Sequence, residues 1–357
     1  MAVRSDPTKN SSVDEELKKL LETRRAEIKV VGIGGAGNNT ISRMMQVGIL
    51  GSEVVALNTD AQDLLYTDAD TKILIGKELT RGLGAGANPQ VGMEAAKESR
   101  SEIKDALEGA DMVFITCGLG GGTGTGAAPV VAETAKKLGA LTVAIVTLPF
   151  TMEGKQRMDN ARHGLEEMEK NVDTLIVIPN DKLLEIVPDV SIITAFKVSD
   201  EILVNAVKGI AELVTKPGLV NLDFADIKAV MGEGGIAMIG MGESDSENRA
   251  LEAVEKALNN PLLDVEIDGA EGALINVSGG SDVTIKECQT IVEAVSSKLH
   301  PDAKIIWGAQ IVKELGDVVR AMLIITGVKS PQIYGQMKTF TKEKEKEIEK
   351  ILGIDFV

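Results

Sequence analysis

Short apolar runs alternate with longer segments of helical spacing along the first 215 residues. Ile28–Val31, Glu53–Leu57, Lys72–Ile75, Asp111–Cys117, Leu141–Leu148 and Thr174–Ile178 are brief and strongly apolar, and read as buried strands. Between them, apolar positions three and four apart predict helices: one closing near Val47 after the Gly32–Asn39 turn, then Gln90–Leu107, Ala127–Lys137, Lys155–Lys170 and a long one over Ile192–Val214. Repeated strand, loop and helix predict an α/β fold with a doubly wound, mainly parallel sheet. Ligands in such sheets bind beyond the carboxyl ends of the strands. Every Gly- or Asn-rich loop of this stretch falls at such an end.

The pattern changes after Lys216–Asp223. Strands are predicted at Gly235–Gly240, Ala273–Val277, Lys304–Val312 and Val318–Thr326, with helices at Ser246–Asn259 and Ile285–Leu299. The expected organisation is a helical extension (1–27, with Val13–Glu27 as its helix), a first domain (28–215), a smaller α+β domain (216–330) and a polar tail (331–357). The tail holds a Lys/Glu run, Lys342–Lys350, and an apolar tip, Ile351–Val357.

Composition narrows the function classes. A net charge of −16 argues against a broad nucleic-acid surface, which needs clustered positive charge. Two histidines and two distant cysteines, Cys117 and Cys288, speak against a transition-metal site and a disulfide, and so for a reducing cytoplasm. No run reaches the ~18 apolar residues of a membrane span, and Met1–Asn10 carries no signal-peptide core.

The richest chemistry lies in Gly120–Gly126, where five of seven residues are Gly and the others are Thr123 and Thr125. A strand running through glycines into a helix holds an anion on backbone N–H groups. Gly32, Gly34 and Gly37 give a GxGxxG turn, which alone fits an NAD oxidoreductase equally well. A third glycine loop, Gly82–Gly86, suggests a whole triphosphate wrapped by main-chain donors. There is no GxxxxGK[ST] and hence no P-loop.

Other positions keep two readings each. Phe196 and Asp200 share a helix face: a ring stacked on guanine with a carboxylate accepting from its N1–H and N2–H₂, or a core Phe beside a solvated Asp. Asn180 reaches base or sugar, or caps a helix. Glu153 and Arg157 bind ribose and phosphate-side groups, or pair with each other. Asp60 holds a Mg²⁺-bound water, or forms an Asx turn. Asp223 and Asp226, three apart, serve hydrolysis or cap a helix. They follow the long helix, so they are expected opposite the glycine loops and reach a nucleotide only on another subunit.

Gly120–Gly126, Asn58-Thr-Asp60, Met152–Lys155 with Arg157, Ile178–Asp181 and Asn221-Leu-Asp-Phe-Ala-Asp226 together resemble the tubulin/FtsZ family, and within it FtsZ of archaeal type. The resemblance covers roughly residues 28–327. It implies a Rossmann-like GTP-binding domain, a long central helix and an α+β C-terminal domain. It implies a polymerising cell-division GTPase of the mid-cell ring, with head-to-tail filaments of the chain itself and GTP/GDP and Mg²⁺ as its ligands.

Carried onto this sequence, the resemblance implies GTP contacts from Gly34, Gly35, Ala36, Asn38 and Asn39, and from Asp60 and Ala61. Gly84, Ala85, Gly86, Ala87 and Asn88 follow, then Gly118, Gly120, Gly121, Gly122, Thr123, Gly124, Thr125 and Gly126. Glu153, Arg157, Asn180, Phe196 and Asp200 complete the set. Mg²⁺ is expected mainly on phosphates and water, with Asp60 a candidate. Asn221, Asp223 and Asp226 are implied to act on the neighbouring subunit's GTP. Gly353–Val357 is expected to be a docking peptide for a membrane anchor of SepF type, with no membrane insertion and no nucleic acid expected. The competing assignment within the fold is a tubulin-like GTPase of cell shape or DNA segregation.

Overall fold

A computed structural model describes residues 26–49, 51–182, 192–215, 223–259 and 267–328; of residues 192–199, side chains are described only for Thr194 and Lys197. The expected N-terminal helix up to residue 25, Asn221 and the whole tail lie outside these residues, and Ala26 and Glu27, expected to end that helix, are not helical. Ten strands form one sheet in the order β3-β2-β1-β4-β5-β6-β7-β10-β8-β9. They are β1 (Ile28–Ile33), β2 (Ser52–Asn58), β3 (Thr71–Leu74), β4 (Met112–Gly118), β5 (Leu141–Leu148), β6 (Thr174–Pro179), β7 (Gly235–Ser244), β8 (Gly272–Gly279), β9 (Lys304–Ile311) and β10 (Val319–Thr326).

The first six strands are all parallel, as their uniform apolarity demands: a strand covered by helices on both faces has no polar side. In β4, Val113, Ile115 and Cys117 point into one core layer, while Met112 and Phe114 point into the other. The first layer is closed by the helices Pro89–Glu98, Arg100–Leu107, Thr123–Lys137 and Lys155–Asn171. The second is closed by Gly34–Val47 and the 24-residue helix Ile192–Thr215. Beyond β6 the sheet turns mixed, with β10 antiparallel to both β7 and β8. The joint between the two parts is slight: β6 meets β7 through three residue pairs, Thr174 with Gly235, Leu175 with Ile236 and Ile176 with Ala237.

The long helix expected over Gln90–Leu107 is two helices, parted at Ser99. Ser99 leaves helical geometry at φ −95° and ψ 18°, and its buried Oγ accepts from Gly76 N at 3.1 Å. A contact from 23 residues away therefore fixes the break. The helix expected from Ala127 begins at Thr123, so half of the glycine-rich run is its first turn. The helix expected from Ser246 starts later, at Arg249, and the one expected to reach Leu299 stops at Ser296.

Candidate functional site

Two helices start side by side at the carboxyl ends of β1 and β4. Gly34, at φ +70°, turns the chain out of β1. A Cβ on it would sit 3.0 Å from Gly124 N, so the first and central glycine loops are in contact. Gly37 lets this helix lie on β4, because a Cβ there would come within 2.4 Å of the Thr116 carbonyl oxygen. Neither helix has an acidic residue in its first turn or a side-chain cap. Their leading N–H groups and the positive ends of both dipoles are thus left for a bound anion.

Between them opens a cleft of about 300 Å³. Its walls include Gly34, Gly35, Ala36, Gly118, Gly121, Gly122, Thr123, Gly124, Glu153, Arg157, Asn180 and Asp200. All twelve are residues that the sequence points to. Ile33, Leu119, Thr147, Pro149 and Leu203 also line it without having been anticipated. Thr147 carried a signal: it is a polar residue near the carboxyl end of a mostly apolar strand. Leu203, one turn after Asp200, carried one only through helix geometry.

Among the described side chains, the remaining anticipated residues fall outside the lining. Gly84–Asn88 pack behind the central loop, where a Cβ on Gly122 would meet Ala85 Cβ at 2.7 Å and Asn88 N at 2.9 Å. Gly126 is a packing residue: a Cβ would lie 1.9 Å from Pro89 O. The Thr125 hydroxyl accepts from Gly120 N at 2.9 Å, an internal tie of the loop. Asn38 is buried, with neither amide atom hydrogen-bonded among the described residues, while Asn39 is exposed. Ala61 is exposed on the helix that Asp60 caps, and the Phe196 side chain is outside the described set.

Asp60 takes the capping role in this geometry. Its Oδ1 accepts from Gln62 N at 2.9 Å and Asp63 N at 3.1 Å. Its other oxygen faces Gly84, 3.8 Å from where a Cβ would be. One half-engaged carboxylate suits a Mg²⁺ ion that keeps most of its waters. Among the described residues, no three His, Cys, Asp or Glu side chains gather for a metal.

Asp200 lines the cleft. Burial pushes its carboxyl up to about 6, against the opposing pull of the Thr40 hydrogen bond and the Arg43 charge. Asn180, 5% exposed, and Thr147, 7% exposed, place an amide and a hydroxyl on the same side of the sheet. Glu153 and Arg157 pair directly, and Glu153 also accepts from Phe150 N at 2.8 Å.

Asp223 and Asp226 form a capping box. Asp223 Oδ1 accepts from Asp226 N at 2.7 Å, and Asp226 Oδ2 accepts from Asp223 N at 3.4 Å. They are far from the cleft. The long helix has Asp200 and Leu203 in the cleft wall and ends with Thr215 packed on Gly51, before β2. The helix after Asp223, Phe224–Met231, ends where the Met231 carbonyl accepts from Thr174 Oγ1 at the amino end of β6.

Comparison with known proteins agrees along most of the chain. Residues 27–188 match the model of the tubulin/FtsZ family GTPase domain, and residues 235–329 match that of the FtsZ family C-terminal domain. The chain is 69% identical over 321 residues to "Cell division protein FtsZ 1" of Thermococcus kodakarensis, covering 90% of this chain and 86% of the relative. It is 64% identical over 320 residues to the protein of the same name from Methanocaldococcus jannaschii, covering 90% and 88%. A solved structure described as an empty FtsZ dimer from M. jannaschii superposes with a TM-score of 0.84 at 64% identity, covering 88% of this chain and 92% of that one. CetZ1 from Haloferax volcanii shares the fold alone, at a TM-score of 0.76 and 24% identity, covering 91% and 99%.

Proposed function

The chain belongs to the tubulin/FtsZ family, in its FtsZ branch, and on this premise we propose how it works as a cell-division GTPase. It binds GTP and hydrolyses it to GDP and phosphate. One observation carries the assignment of the site: two uncapped helix N-termini converge on a single cleft. We assign the triphosphate to the N–H groups of Gly34, Gly35 and Gly121–Gly124. The guanine goes to Asp200, with Asn180 and Phe196, because only guanine offers paired donors to a carboxylate. Glu153 and Arg157 flank the ribose. Mg²⁺ sits on phosphate oxygens and water, with the outward oxygen of Asp60 as its nearest protein group. Residues 28–215 form the GTP-binding domain and 216–330 the C-terminal domain.

Among the described residues, the cleft lining contains only Glu153 and Asp200 as carboxylates. One is paired with Arg157, and the other is held by Thr40. Neither is placed to activate water at the phosphates. We therefore assign that role to Asp223 and Asp226, with Asn221, of the next copy, whose position opposite the cleft suits a head-to-tail contact. Such a contact is heterologous and does not close, so it generates a filament. Exposed apolar side chains in loops that follow the strands' carboxyl ends support coverage by another molecule: Leu83 is 84% exposed and Met152 73%. The dimer described for the M. jannaschii relative supports self-assembly as well. We place the filaments in the cytoplasm at the mid-cell ring, with Gly353–Val357 docking a SepF-type membrane anchor.

The deciding experiment measures GTPase rate per molecule against protein concentration, with sedimentation of the same samples. A rate that climbs together with pelleted protein is expected. A rate that stays flat from dilute to concentrated protein would sink the shared site.

A further inference from the structure

The helix Phe224–Met231 starts at the Asp223–Asp226 capping box, and its other end is gripped from two strands. An α-helix leaves its last carbonyls without partners inside the helix. Here two of them are taken by buried threonine hydroxyls. Thr174 Oγ1, on β6, donates to the Met231 carbonyl at 2.6 Å, and Thr326 Oγ1, on β10, donates to the Val230 carbonyl at 3.3 Å. Thr174 is fully buried and Thr326 is 3% exposed.

The backbone around them leaves room for this contact. A Cβ on Gly234 would come within 2.6 Å of Thr174 Oγ1 and 3.0 Å of Thr326 Cγ2. One on Gly272 would come within 2.4 Å of Thr326 Oγ1 and 3.2 Å of Val230 Cγ1. Ile227, Val230 and Met231 are buried in the same core layer as the long helix Ile192–Thr215. Apolar burial of that kind holds a helix to a surface, but it is non-directional. Hydrogen bonds weaken steeply with distance and angle, so the two hydroxyls fix how far the helix slides and turns. Thr174 pairs with Gly235 on one flank of β7, and Thr326 pairs with Ala237 on the other. The helix is thereby registered to both sides of the β6–β7 joint at once.

We propose that Thr174 and Thr326 are positioning residues for hydrolysis. Their hydroxyls grip the carboxyl end of Phe224–Met231 and so set the place of Asp223 and Asp226, about 12 Å away at its amino end, against the nucleotide of the next copy. The proposal rests on the assignment of Asp223 and Asp226 to a neighbouring site made above. A misplacement of about 1 Å at reacting groups costs roughly 10²-fold in rate, so a small slip of this helix is felt in turnover.

The test compares Thr174→Val, Thr326→Val, Thr174→Ser and Thr326→Ser in the full chain, below the onset of unfolding and at saturating GTP. Valine keeps the shape and loses the hydroxyl, whereas serine keeps the hydroxyl. GTP affinity should stay within about twofold of the parent in all four, since neither threonine lines the cleft. Turnover per pelleted molecule should stay within about threefold in the serine variants and fall about tenfold or more in the valine variants. Rescue in trans separates positioning from general damage. Each valine variant is mixed with an excess of Gly122→Ser protein, which is expected to hold no GTP but keeps Asp226 and both threonines. GTP held by the valine variant should then turn over within about threefold of the parent rate. Valine variants as fast as the parent, serine variants as slow as valine, or valine variants as slow in the mixture as alone each overturn the proposal. If one valine variant does not fold, the other carries the same comparison. Failure of the same mixture to rescue Asp226→Ala would instead remove the shared site beneath the proposal.

Discussion

The Thr40 hydroxyl donates to the Asp200 carboxylate at 3.0 Å, joining the helix that leaves β1 to the central helix 160 residues later. Arg43, one turn on, is the charge that helps keep this carboxylate ionised, while burial opposes it. Asp200 is thus poised between two forms close to neutral pH.

The sign of the resulting pH effects follows from linkage. The carboxyl is raised from its ordinary 3.8 to about 6, so between those values the folded chain holds a proton that the unfolded chain has released. Stability of the nucleotide-free protein should therefore fall as pH rises through that window on account of this group. GTP binding should move the other way. An ionised Asp200 is needed to accept from guanine, so affinity should decline below pH about 6, by up to roughly tenfold per unit. Titrating GTP affinity from acid to neutral pH checks this. Asp200→Asn should flatten the profile and weaken GTP, and an undiminished preference for GTP over ATP in that variant would refute the guanine assignment.

Asp226→Ala should leave GTP affinity unchanged and lower turnover by about 10²–10⁴-fold, the range of a lost general acid–base group. Loss of the 3.4 Å capping contact is a minor side effect that a melting curve will register. Mixing this variant with Gly122→Ser protein tests the sharing directly. The serine Cβ would collide with Ala85 and Asn88, so that partner should fail to bind GTP while still presenting an intact Asp226. Hydrolysis should reappear in the mixture, and a mixture as inert as its components contradicts the shared site.

Two glycines of the same run should fail differently. A Cβ on Gly126 meets the backbone of Pro89 and Met93, so Gly126→Ala should cost about 3 kcal/mol or more in urea unfolding. A Cβ on Gly121 meets nothing within 4 Å of protein, and it points into space at the cleft wall. Gly121→Ala should keep its stability within about 0.5 kcal/mol and lose nucleotide affinity instead.

Arg157→Ala probes which of its two roles matters. The Glu153 pair is partly exposed, and such pairs add only about 0–1 kcal/mol to stability. Thermal unfolding should hardly change, whereas GTP affinity should fall by roughly tenfold if Arg157 faces the nucleotide. Unchanged affinity would leave the ion pair as its whole role.

The strands of the parallel half were legible because burial on both faces leaves an unmistakable apolar run. The core of the site was legible for a related reason: glycines between a buried strand and a helix have few uses other than close approach. What the residues did not disclose was destination. Gly84 and Gly86 announce a turn through their left-handed backbone, yet nothing local says that Ala85 and Asn88 in it pack against Gly122 of the central loop. Ser99 looks like an ordinary helix residue until Gly76 is brought to it by the fold. Gly126 looks like another phosphate contact until Pro89 arrives against it. Asp60 and the Asp223–Asp226 pair each satisfy a local capping pattern in full, so the pattern by itself cannot reveal a second task.

The three-pair joint between β6 and β7 gives the molecule a mechanical character. Eight pairs tie β7 to β10, and eight more tie β10 to β8, so the sheet is a plate scored along one line. Torque on the two halves concentrates at that line. The central helix bridges it like a splint. Leu203 to Leu213 share one core layer with Phe114 and Ile145 on one side and with Ile239 and Met322 on the other, and Gly209 lets the helix close on the Met322 sulfur. A load carried along a row of such molecules would pass through this helix and through Phe224–Met231, which is hydrogen-bonded to Thr174 of β6 and Thr326 of β10, and their stiffness then sets how far each link flexes.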